Sequence, residues 1–160
     1  MNALSGAIRH KIPLSPIVAD LTNAMRKLFA ERNLYIKADI DEQIDVICEP
    51  KDLEEILGNI LENACKWARS QVLLSARALS GRVELSIDDD GPGVPEGLLG
   101  VVLKPGERLD TKVRGDGFGL PIAQELIELH GGSIELSRST FGGLKVMLTF
   151  RGTSGGMAPT

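Results

Sequence analysis

The segment PKDLEEILGNILENACKW, Pro50 to Trp67, decides how this chain is read. Leu53, Ile56, Leu57, Ile60, Leu61 and Ala64 recur at helical spacing and form one apolar stripe. The segment therefore predicts an amphipathic helix, with Pro50 near its start. Asn59, Asn63 and Lys66 stand at i, i+4 and i+7 and share another face. Asparagine is a weak helix former, so two of them one turn apart lower the propensity of the segment. Their amide oxygens can ligate a hard cation, and Lys66 can neutralise phosphate charge. The plainer alternative is a solvated face with incidental amides.

Outward from this helix, the pattern alternates between helices and strands. On the N-terminal side, Leu14, Ile17, Val18, Leu21, Met25, Leu28 and Phe29 predict a helix over 14–31 that starts near Ser15–Pro16. Leu34, Ile36, Ala38 and Ile40 alternate as in a strand, and a turn at 41–43 leads to a short strand over 45–48. On the C-terminal side, 71–78 and 82–88 predict a hairpin joined at Ser80–Gly81. Periodicity is lost over 89–117, apart from a helical turn near 96–102. A helix over 118–130 follows, with Phe118, Ile122, Leu126 and Leu129 as its apolar positions and Gly131–Gly132 as its stop. Two strands, 133–137 and 143–150, close the pattern. Three helices with five or six strands, some in hairpins, predict a two-layer α/β domain with a mixed sheet. The regular strand–helix alternation of a doubly wound parallel fold is missing.

At 160 residues the chain suits one domain. The net charge of −4 argues against a bulk nucleic-acid binder. Cys48 and Cys65 are too few for a disulfide framework and lack metal-site spacing, which favours a reducing compartment. No apolar run is long enough to span a bilayer, and the N-terminus lacks the apolar core of a signal peptide. Its opening residues, MNALSGAIRHKIPLSP, read as a start placed inside a longer protein. Of the 18 glycines, eight lie between Gly91 and Gly119, which concentrates backbone freedom in one region.

That region has two chemically distinct ends. Asp88-Asp89-Asp90-Gly91-Pro92-Gly93 stands at a strand end, where adjacent carboxylates repel unless solvated or paired. An Asp there can accept from an exocyclic amine such as that of adenine, or the stretch is simply a polar turn. Gly115-Asp116-Gly117-Phe118-Gly119-Leu120 precedes a helix, where bare N–H groups suit phosphate. It follows a long loop instead of a first strand, so a dinucleotide fingerprint is a weak reading. Between them, Lys104, Arg108, Lys112 and Arg114 could form a cationic lid, or a solvated loop. Trp67 could be core or could stack on a base. His10 and His130 have no evident nucleophile partner and are read as structural or surface residues.

The order of these pieces is more specific than any one of them. Asn59-Ile-Leu-Glu-Asn63-Ala-Cys-Lys66-Trp67 resembles the asparagine box of bacterial sensor histidine kinases, closest to the PhoQ type. Asp89-Asp-Gly91-Pro-Gly93 resembles their first glycine box and Gly115-Asp-Gly117-Phe-Gly119-Leu120 their second. Gly142–Gly143 fits the last box. The likeness covers 12–150. It implies the Bergerat ATP-binding fold, a two-layer α/β sandwich with a mixed five-stranded sheet and three helices. It implies that Asn63 binds Mg²⁺, with Asn59 near the metal or phosphates, and that Lys66 touches phosphate. Trp67 stands beside the nucleotide, where Tyr or Phe is common. Asp89 takes the adenine amine. Gly91, Gly93, Val94 and Leu103 shape the pocket, and Gly115, Gly117, Phe118, Gly119 and Leu120 cradle the phosphates. Arg108 resembles the lid arginine that assists transfer, so Asn59, Lys66 and Arg108 form the implied catalytic set.

Departures from the family pattern also carry information. Leu103 stands where a lid-anchoring Phe is common, and Pro121 fills a small-residue slot. No segment resembles the phosphoaccepting helix, so residues 1–11 are expected to be a remnant of the preceding dimerisation region. Residues 12–151 form the ATP-binding domain and 152–160 a disordered tail. Gyrase-like relatives carry a Glu four residues before the metal-binding Asn, as a base for water. Here that place is Asn59, whose neutral amide cannot accept the proton. The resemblance thus implies a Mg-ATP-dependent histidine kinase fragment that does not phosphorylate itself. Its partners are a phosphoacceptor histidine domain and a response regulator, with no nucleic acid and no direct membrane contact. The fragment is expected to be a monomer, from the cytoplasmic part of a homodimeric inner-membrane sensor. The alternatives are an ATPase of the same superfamily and a nucleotide-binding regulatory module.

Overall fold

The computed structural model describes residues 9–99 and 119–153. Its elements run β1 (His10–Pro13), α1 (Leu14–Leu28), β2 (Tyr35–Asp39), β3 (Asp45–Cys48), α2 (Pro50–Trp67), β4 (Gln71–Leu79), β5 (Arg82–Asp89), α3 (Gly119–Leu129), β6 (Ser133–Arg138) and β7 (Leu144–Arg151). Five strands form one sheet in the order β2-β4-β5-β7-β6. β2 runs parallel to β4, and every other pairing in that sheet is antiparallel. The expected two-layer sandwich, with a mixed five-stranded sheet and three helices, is therefore present.

α2 forms where its ends are chemically defined. Pro50 occupies the first turn, and the Glu49 side chain caps the helix by accepting from the Asp52 N–H at 2.8 Å. Leu53, Ile56, Leu57, Ile60, Leu61 and Ala64 are all buried, as their spacing predicts, and Cys65 joins them. They share one core with Val83, Leu85 and Ile87 of β5 and Val146, Leu148 and Phe150 of β7. Strand residues alternate between faces, so Glu84, Ser86 and Asp88 fall on the other side of the sheet. Gly81, at φ +76°, makes the β4–β5 turn.

The structure corrects the sequence reading in four places. A small antiparallel sheet, β1 with β3, precedes the main one, and it takes in His10 and Lys11. α1 ends at Leu28, and a 3₁₀ turn over Ala30–Arg32 replaces its expected last turn. Leu28 is consequently 62% exposed instead of buried. On α3 the buried positions are Leu120, Pro121, Ala123 and Ile127, one step round the helix from the expected stripe, and Leu129 is exposed. Gly152, expected in the tail, bridges Val46 and donates its N–H to the Gly81 carbonyl at 3.0 Å.

His130 is buried and structural. Arg9 Nε donates to its Nδ1 at 3.0 Å, so Nε2 carries the ring proton and donates to Asp52 Oδ2 at 2.7 Å. Arg9 also donates to the Leu129 carbonyl at 3.0 Å. The entry to the domain, the first turn of α2 and the end of α3 are thus tied at one point. Among the described residues, no helix is long and apolar enough to cross a membrane.

Candidate nucleotide site

Packing of α2 against α3 and the C-terminal end of β5 brings the sequence-predicted residues together in two groups. In the first, a Cβ added to Gly119 would lie 3.9 Å from the Asn59 carbonyl oxygen and 4.0 Å from its Oδ1. The start of α3 therefore abuts the amide face of α2. Asn59 and Asn63 are half-buried on that face, and Lys66 is exposed one turn further on. The Leu120 side chain enters the core. What it can offer a phosphate is its backbone N–H, at a helix start where the dipole favours anions.

The second group surrounds Asp89, which is 3% exposed. Its Oδ1 accepts from the N–H of Gly91 at 2.9 Å and of Leu144 at 3.3 Å. A Cβ on Gly91 would fall 2.1 Å from the Trp67 carbonyl oxygen, and one on Gly143 would fall 2.1 Å from Asp89 Oδ1. Gly93 adopts φ +75° beside the Gly142 carbonyl. Val94 is buried and Trp67 half-buried. The glycines of the first box are thus sites of backbone contact between the β5 loop, the end of α2 and the β6–β7 turn.

The three adjacent aspartates do not crowd one another. Asp88 lies in register with Lys145 on β7, Asp89 turns inward, and Asp90 turns back toward the start of β4. Asp90 Oδ1 accepts from the N–H groups of Arg69 at 2.8 Å, Ser70 at 3.0 Å and Gln71 at 3.2 Å, and Oδ2 from Ser70 Oγ at 2.6 Å. Desolvation pushes this carboxyl up, but the bonds from Ser70, Gln71 and Arg69 outweigh it and hold the carboxyl at about 2. On the other side of the same turn, Arg32 Nη1 donates to the carbonyls of Cys65 at 3.1 Å and Lys66 at 3.3 Å, and Nη2 to that of Ala68. Sequence reading missed both roles. Arg32 reaches carbonyls more than thirty positions away, and no local pattern marks that.

Leu103, Arg108, Gly115, Gly117 and Phe118 lie outside the described residues, as does the expected lid over 104–114. A cleft of about 710 Å³ opens at the far end of the β4–β5 hairpin, between Lys11, Asp45 and Arg82, and none of the predicted site residues lines it.

Comparison with known proteins agrees with this geometry. Residues 48–154 match the family described as histidine kinase-, DNA gyrase B- and HSP90-like ATPase. The virulence sensor histidine kinase PhoQ of Salmonella typhimurium is 35% identical over 138 residues, covering 86% of this chain. The chain spans 28% of that relative's length. Among solved structures, the mycobacterial sensor histidine kinase MprB superposes with a TM-score of 0.82 at 21% identity, covering 92% of this chain and 99% of that one. The ATP-binding domain of PrrB from Mycobacterium tuberculosis gives 0.75 at 25% identity, covering 91% and 98%. With the family match spanning most of the chain and the fold shared nearly end to end, the protein belongs to the histidine kinase-, DNA gyrase B- and HSP90-like ATPase family.

Proposed function

We propose that the chain is the ATP-binding catalytic domain of a sensor histidine kinase. In the parent protein it moves the γ-phosphate of Mg-ATP to a histidine on a separate dimerisation domain, and a response regulator then accepts it. The observation that carries this reading is the place of Asn59, a neutral amide on α2 against the start of α3. A hydrolase needs a base at that point to take a proton from water, and an amide cannot do so. Transfer to a delivered nucleophile asks only for positioning and charge stabilisation.

The residues divide the work by chemistry. Asn63 and Asn59 offer amide oxygens, hard donors suited to Mg²⁺, on one half-buried helix face. The metal, when bound, neutralises charge on the phosphates. Lys66 adds a cation beside them, and the N–H groups at the start of α3 add oriented dipoles. Asp89 accepts from the adenine amine, with Gly91, Gly93, Val94 and Trp67 around the base. Leu103, Gly115, Gly117 and Phe118 complete the enclosure, and Arg108 meets the γ-phosphate. The chain alone is monomeric, and its parent is a homodimer with this domain on the cytoplasmic side of the inner membrane.

Trans-phosphorylation tests the proposal. The chain is mixed with labelled ATP and a dimeric histidine domain from its parent, and acid-labile label on that domain is measured. Label is expected with the unaltered chain and absent with Asn63→Ala or Arg108→Ala. No label in any mixture refutes the kinase reading.

A further inference from the structure

We propose that Arg32 and Asp90 are positioning residues for base recognition, a cation and an anion that together clamp residues 65–71 and so fix Trp67 against the Asp89 loop. The inference rests on the nucleotide-binding reading above and extends it to residues that touch no nucleotide.

The clamp divides its labour by charge. Arg32 takes only carbonyls, those of Cys65, Lys66 and Ala68. Asp90 takes only donors, the N–H groups of Arg69, Ser70 and Gln71 and the Ser70 hydroxyl. Every residue from 65 to 71 except Trp67 is therefore gripped by one side chain or the other. Trp67 lies inside the Arg32 grip, between Lys66 and Ala68 and just before the stretch held by Asp90, and its carbonyl is the surface on which Gly91 packs. Gly91 in turn donates to Asp89. A continuous path of contacts runs from Arg32, through the end of α2, to the buried carboxylate.

Simple helix capping accounts for part of this. A guanidinium at a helix C-terminus meets orphan carbonyls and a favourable dipole end. It does not account for a second, oppositely charged side chain that continues the grip beyond the helix. Nor does it explain why that side chain comes from the residue between Asp89 and Gly91. Among the described residues, neither Arg32 nor Asp90 forms an ion pair with another side chain. Apart from the Ser70 hydroxyl, each spends its charge on backbone groups, in charge-assisted bonds that are stronger than neutral ones. If the turn shifts, Trp67 and the Asp89 loop shift with it, while Asn59 and Asn63, earlier on α2, keep their places against α3.

This separation makes the inference testable by base selectivity. Dissociation constants for Mg-ADP, Mg-GDP and tripolyphosphate are measured by calorimetry for the unaltered chain and for Asp90→Ala, Arg32→Ala, Asp90→Asn and Arg32→Lys. Asp90→Ala and Arg32→Ala should each lower the preference for ADP over GDP by about tenfold, the scale of one hydrogen bond to the base lost. Tripolyphosphate affinity should stay within about twofold, because the phosphate end is untouched. Asp90→Asn keeps an acceptor and should recover most of the preference. Arg32→Lys loses the planar fork and should recover less. The two conservative variants also report on the clamp if an alanine variant does not fold. Unchanged selectivity in variants that merely melt earlier would overturn the inference and leave the nucleotide site standing. Failure of the unaltered chain to bind any nucleotide would overturn both.

Discussion

Replacing Gly91 with alanine puts a methyl group where the Trp67 carbonyl already stands. The new Cβ would lie 2.1 Å from that oxygen and 2.8 Å from its carbon. Carbon–oxygen contacts settle at roughly 3.3 Å or more, so about 1.2 Å of overlap must be relieved. Neither side yields easily. The Gly91 N–H is held by Asp89 at 2.9 Å, the residues flanking Trp67 are bonded to Arg32, and Arg69 beyond them is bonded to Asp90. Overpacking costs typically about 1–3 kcal/mol, and a site pinned from both directions belongs at the upper end. For a chain of this size, that is a fall in Tm of roughly 6–12 °C. Gly58 supplies the control. It lies inside α2, and a Cβ there would meet nothing within 4 Å. Gly58→Ala should therefore stabilise by about 0.5–1 kcal/mol, the backbone entropy no longer lost on folding. Urea and thermal unfolding, followed by far-UV circular dichroism and by the fluorescence of the single tryptophan, measure both. A Gly91→Ala protein that melts within about 1 °C of the parent refutes the steric reasoning, and so does a Gly58→Ala protein that melts lower.

Three other outcomes follow from the same structure. The Asp90 carboxyl lies below its ordinary range in the folded protein, at about 2. Its contribution is present above about pH 4 and is lost as pH falls from 4 toward 2, about 1 kcal/mol once its partial exposure is allowed for; acid unfolding of Asp90→Asn should show a correspondingly shallower decline. Desolvation raises the thiols of Cys48 and Cys65 to about 11 and both are fully buried. Iodoacetamide at pH 8, read by mass spectrometry, should label neither until the chain unfolds, and rapid native labelling contradicts their burial. Leu53→Ala empties a fully buried position between α2 and the sheet and should lower unfolding stability by about 2–5 kcal/mol in urea, whereas a loss below about 1 kcal/mol denies it a place in the core.

Legibility in the sequence followed the range of the interaction. α2 could be read to the residue because its stripe, its Pro50 start and its last turn all lie within the segment itself. The β4–β5 hairpin was equally local, resting on one glycine turn. β1 escaped notice because four mostly exposed residues with no alternation are ordered only by β3, more than thirty positions on. The α3 stripe was misplaced by a step because Leu129 has the spacing of a core position and yet is exposed, while Leu120, Ala123 and Ile127 are the buried positions. Site residues divide in the same way. Asn59 and Gly119 belong to recognisable motifs, and the fold brings them together. Asp90 was read only as one of three repelling charges, although folding sends it away from its neighbours onto backbone N–H groups.

The junction of Arg9, His130 and Asp52 has a consequence for cooperativity. A helix end ordinarily frays, opening and closing independently of the rest of the domain. The last turn of α3 cannot do so at low cost, since lifting it withdraws the buried His130 ring from its bond to the first turn of α2 and releases the Arg9 guanidinium from Leu129. The two helices that carry the amide face and the start of α3 therefore open as one unit. Protection from hydrogen exchange in the last turn of α3 is set by the stability of α2, not by the position of that turn at a helix terminus.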